Sequence, residues 1–87
     1  MYSYDELKPT LFTDEGQRMF LRIRDHAKDL LAKAGAARMD RIILGAGPGD
    51  SWLMIACVDR LVELGEIEAV TQPAVMGQDR IFVSARR

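Results

Sequence analysis

Residues 59–70 read DRLVELGEIEAV. Leu61 and Leu64 fall at helical spacing, and Gly65 follows at the position where a glycine in the left-handed conformation closes a helix. Beyond it, Ile67 and Ala69 alternate with Glu66 and Glu68, the two-residue period of a strand. The stretch therefore predicts a helix that stops at Gly65 and leads directly into a strand. Upstream, Asp50 or Ser51 caps that helix, which runs from about Trp52 to Leu64. Downstream, QPAVMGQ supplies a turn through Pro73 and Gly77, and RIFVS a second strand.

The helix is preceded by IILGAGPGD, residues 42–50. Three apolar residues, a glycine-rich run and a helix are the order in which a dinucleotide-binding fold presents its phosphate loop. Gly45 and Gly47 fit the first two glycine positions, and Glu66 or Glu68 lies at a distance suited to a ribose. Asp50, however, stands at the third position and puts a negative charge where pyrophosphate would sit. A complete nucleotide-binding fold also needs several parallel strands, and the longest helical pattern of this chain precedes the first candidate strand. The expectation is a connecting turn, with no cofactor, and nucleotide binding at GAGPGD remains the remote alternative. Ile42 to Leu44 form either a short helix capped by Asp40 or a buried strand, since periodicity cannot separate the two over so few residues.

Further toward the N-terminus, Phe20, Ile23, Ala27, Leu30 and Ala34 recur at steps of three and four. With Thr13 as N-cap, Asp14 and Glu15 in the first turn and Gly35 as stop, they predict an amphipathic helix of about 21 residues. Before it, SYDE at Ser3 to Glu6 matches a capping box for one short turn that Pro9 keeps from extending. The chain thus divides into an N-terminal arm, residues 1–12, and a single domain, residues 13–87. The fold class expected is α+β: three helices followed by a C-terminal two-stranded β-hairpin, with Ile23, Leu30, Leu44, Val58, Leu61, Leu64, Ile67 and Ile81 in one core.

The sequence Leu61-x-x-x-Gly65-x-Ile67, followed by a strand, a loop and a second strand, resembles the recognition helix and wing of winged helix-turn-helix proteins. The resemblance spans roughly Asp14 to Ala85. It departs from that pattern in the turn before the third helix, which is longer and richer in glycine than the usual short connection. What the resemblance implies is duplex DNA bound by helix three in the major groove and by the wing on the backbone. Arg80, Arg86, Arg87, Arg38 and Arg41 are the contacts this alternative would use.

The charges favour a different reading. Phosphate binding rests on Lys and Arg, yet the helix face at 52, 56, 59 and 63 carries Trp52, Ala56, Asp59 and Glu63. From Asp50 to Asp79 six acids face Arg60 alone, whereas from Gly16 to Arg41 seven basic residues outnumber three acids. In addition, Trp52 to Val58, WLMIACV, is apolar at every position, and surface that a small fold cannot bury commonly marks an interface. The expected function is therefore a non-enzymatic interaction module that binds a protein or forms a homodimer through helix three and the wing. Its candidate contacts are Trp52, Leu53, Ile55, Ala56, Asp59 and Glu63.

Composition sets the remaining bounds. A chain of 87 residues, 48% hydrophobic and 29% charged, supports one small core. Cys57 is the single cysteine and lies in an apolar helix, which predicts a buried, inert thiol. His26, the single histidine, has no nearby Cys or second His, so a metal site is not expected and a solvated position on helix one is. One histidine and scattered acids offer no catalytic constellation. No apolar run approaches membrane-spanning length and no leader pattern opens the sequence, so a cytoplasmic protein without membrane contact is expected.

Overall fold

The computed structural model describes residues 2–70 and 79–85. Its elements run α1 (Tyr4–Leu11), α2 (Asp14–Ala34), β1 (Ala36–Arg38), α3 (Met39–Gly45), α4 (Ser51–Glu63), β2 (Ile67–Ala69) and β3 (Ile81–Ser84). The fold is α+β, but with four helices and a three-stranded sheet among the described residues, not three helices and a two-stranded hairpin.

The sheet is antiparallel in the order β1-β3-β2. Phe82 stands on the central strand opposite Ala37 on one side and Ala69 on the other. Two small neighbours leave room for the ring to point into the core, where it is fully buried. β1 is the element that sequence did not predict. Its three residues, AAR, have no strand pattern, and tertiary pairing with β3 makes them a strand; the Met39 N–H then donates to Arg80 C=O at 2.8 Å and ties the start of α3 to the sheet. The 71–78 turn expected around Pro73 and Gly77 lies outside the described residues.

The long helices begin and end where local chemistry directs. Thr13 Oγ1 accepts the Gly16 N–H at 3.1 Å, and Gly35 closes α2 at φ +83°. The carboxylate of Asp50 accepts the N–H groups of Trp52 and Leu53 at 2.9 and 3.3 Å, and Gly65 follows α4 at φ +77°. α1 differs from its sequence reading in two ways. Ser3 takes the N-cap position without a side-chain bond, and the helix continues through Pro9 to Leu11. Burial of Leu11 against α2 and α4 outweighs the one N–H that Pro9 lacks.

Ile23, Ala27 and Leu31 of α2, Met39, Ile42 and Ile43 of α3, Leu53 to Val58 and Leu61 of α4, Ile67 and Phe82 form one core. Ile42 to Leu44 are helical, which resolves the choice left open above. Of the residues expected in that core, Leu44 is 79% exposed and Leu64 44%, while Leu30 and Ile81 are only partly buried. Three consecutive residues of a helix spread over 200°, so once Ile42 and Ile43 face inward Leu44 faces out. Leu64 follows the last turn of α4 as its C-cap and is carried to the surface there.

Candidate functional site

α4 is the helix expected to meet a partner, and the structure buries most of it. Leu53, Ile55 and Ala56 are at most 5% exposed, and only Trp52 of the apolar run stands out, at 47%. The run is apolar all round because the helix is enclosed, with α1, α2, α3 and β2 all packed on it. Leu53, Ile55 and Ala56 are therefore core residues and offer no free contact surface.

The polar positions of the same helix are also taken. The Tyr2 hydroxyl donates to Asp59, whose other oxygen pairs with Arg80 at 2.8 Å. Burial and then the neighbouring Asp59 carboxylate push the Tyr2 phenol well above its ordinary pKa. One turn on, Glu63 accepts from the Tyr4 hydroxyl at 3.0 Å, Lys8 at 2.9 Å and Arg60. Lys8, then Arg60, hold the Glu63 carboxyl down to about 2, while burial and the Glu63 charge raise Tyr4 to about 12. α1 and the residues leading into it thus close the outward face of α4 through two clasps, Tyr2–Asp59 and Tyr4/Lys8–Glu63.

The charge polarity of the sequence is largely consumed inside the fold. Lys28 pairs with Glu66 at 2.7 Å, and Arg38 with Asp79 at 2.9 Å and Asp40 at 3.3 Å. Arg80, a contact of the DNA alternative, lies between Asp59 and the Phe82 ring. Arg86 and Arg87 are outside the described residues. Asp50, beyond the glycine-rich turn, caps α4, so its own carboxylate occupies the N–H groups that a phosphate would take; Gly47, at φ +100°, shapes that turn.

Exposed apolar surface gathers elsewhere, where α1, α2 and the C-terminal end of α4 meet. Phe12 is 58% exposed and Leu64 44%; with Phe20, Gln17 and Arg60 they line a groove whose floor is Leu11. The Arg60 guanidinium lies 5.3 Å from the Phe12 ring centre. Leu21, 45% exposed, follows Gln17 by one helical turn and extends the same face. The sequence held one signal for this patch: Leu21 falls outside the inward stripe of α2.

A second concave surface lies between α2 and α3, lined by His26, Leu30, Arg38, Arg41, Leu44 and Gly45 among others. His26 is not a solvated helix-face residue. Its Nε2 is buried without a hydrogen-bond partner, packed on Gly45, where an added Cβ would lie 2.7 Å from Cε1 and closer to Nε2. Arg41 is exposed and makes no ion pair among the described residues. Among those residues no group of three or more His, Cys, Asp or Glu could hold a metal ion, and no helix is long and apolar enough to cross a membrane.

Comparison of the chain with protein families, curated proteins and solved structures finds no match.

Proposed function

We propose that this chain is a non-enzymatic interaction module of winged-helix type, binding a second copy of itself or another protein. The order α2-β1-α3-α4-β2-β3, with β1 added to the hairpin strand β3, supports the winged-helix reading, and α1 is then an addition to it. The observation that carries the function is the apolar patch of Phe12, Phe20, Leu21 and Leu64. Phe12 and Leu64, which line one groove with Phe20, are 58% and 44% exposed, and Leu21, next to Phe20 on α2, is 45% exposed, on a domain small enough to need all its apolar area. The proposed contact surface is thereby moved off α4 to the junction beside it.

The acidic, covered α4 argues against groove binding, since α1 would have to leave before that helix could enter DNA. Sedimentation velocity over a concentration series tests the reading together with a duplex-DNA titration at several salt concentrations. Phe12→Ser and Leu64→Ser alter exposed positions, so the fold is retained, and loss of an anchor should weaken association by about thirtyfold. A wild type that stays monomeric at every concentration and retards DNA with a steep salt slope would make the protein a DNA-binding regulator instead.

A further inference from the structure

The cleft between α2 and α3 is separate from the junction patch. We propose that it is a docking groove for an extended segment of a partner protein that carries a carboxylate beside an apolar side chain. The charge comes from Arg41. Arg38, three residues before it, is divided between Asp79 and Asp40, whereas Arg41 projects into water with no carboxylate within 4.0 Å among the described residues. A carboxylate of the partner supplies the bidentate pairing that a guanidinium favours. The apolar half comes from Leu44, 79% exposed, with the half-buried Leu30 across from it.

Gly45 sets the depth of the groove. The His26 ring rests on it so closely that any side chain there would collide with the imidazole, so the floor beside Leu44 is bare backbone. His26 Nε2 is sealed beneath Gly45 and is not itself a ligand contact.

The shape and charge select the occupant. A small-molecule site encloses most of its ligand, and this cleft is open along the helix pair; a peptide can lie across it without being enclosed. A nucleic acid needs a row of cations, and with Arg38 held by Asp79 and Asp40 the groove offers Arg41 alone among the described residues that line it. A carboxylate spaced one or two residues from a leucine reaches both Arg41 and Leu44.

Amide shifts of the full chain, titrated with the capped peptide Ac-Leu-Glu-Leu-Leu-NH2, read the site directly. Saturable shifts confined to residues 38–45 and 26–30 are expected, with Kd no weaker than about 1 mM. Replacing the peptide Glu by Gln, or Arg41→Gln in the protein, should each weaken binding by about tenfold, and the two together no further. Leu44→Ser should weaken it comparably, and both variants sit at exposed positions that leave the core intact. Phe12→Ser should leave peptide binding unchanged, which separates this groove from the association surface proposed above. Absence of saturable shifts, equal binding of the Gln peptide, or shifts centred on Phe12 and Leu64 would each overturn the assignment.

Discussion

Gly16→Ala sets two effects of opposite sign against each other. Gly16 lies in the first turn of α2, where alanine is the better helix former by up to about 1 kcal/mol. If α2 stood alone, the substitution would stabilise. In the fold, however, α1 turns into α2 so tightly that a Cβ on Gly16 would collide with the Thr10 carbonyl oxygen and lie 2.7 and 2.8 Å from Leu11 Cα and C. All three are backbone atoms, so no side-chain rotation relieves the contact. Overpacking of this kind costs about 1 to 3 kcal/mol. Relief requires α1 to move, which strains the bond from the Gln17 side chain to Leu11 C=O and draws Leu11, 1% exposed, away from α4. Partial loss of that burial adds about 1 kcal/mol. The net expectation is destabilisation by about 1 to 3 kcal/mol, a large share of the total for a domain of this size. A urea melt followed by far-UV circular dichroism measures it, with Gly35→Ala as comparison. Gly35 has φ +83° and nothing within 4 Å of an added Cβ, so its cost is backbone strain alone, about 1 to 2 kcal/mol. If Gly16→Ala matches or exceeds the wild type in stability, α1 does not cross α2 as described, and the closure of α4 by α1 fails with it.

Two further outcomes follow from the pKa shifts. Burial in α4 pushes the Cys57 thiol up to about 12, so at pH 8 its thiolate is rarer than in the unfolded chain by about a thousandfold. Labelling by a disulfide reagent should therefore wait on unfolding and become rapid in denaturant; fast labelling of the native protein would place Cys57 near the surface. Glu63 has its folded pKa lowered to about 2 by Lys8 and then Arg60, below the unfolded value of about 4.3. Its contribution is complete above the unfolded value and is lost as pH falls toward 2. Tyrosine fluorescence should report loosening of α1 across that window, and Glu63→Gln should flatten the change; an unaltered acid profile in the variant would remove Glu63 from the clasp.

What sequence made legible here was governed by local chemistry. Thr13, Gly35, Asp50 and Gly65 mark the ends of α2 and α4 because capping and left-handed φ are properties of a few adjacent residues. β1 was hidden for the converse reason. Ala36 to Arg38 become a strand only when β3, more than forty residues later, pairs with them. The burial of Leu53, Ile55 and Ala56 was hidden for the same reason. A run such as WLMIACV is apolar all round whether a helix is enclosed or waits for a partner, and periodicity within α4 does not distinguish the two. The distinction lies in α1, whose path through Pro9 to Leu11 depends on the bare backbone of Gly16 and on where Leu11 is buried. Once α1 is in place, Asp59 and Glu63, which suggest a contact face when α4 is read alone, become the acceptors that hold it there. Leu44 and Leu64, which read as core when each helix is taken separately, are left outside. The surface available for function is thus what remains after α1, α3 and the sheet have each claimed a side of α4. That surface is apolar at the α1–α2 corner and carries, along α3, Arg41, which has no ion-pair partner among the described residues.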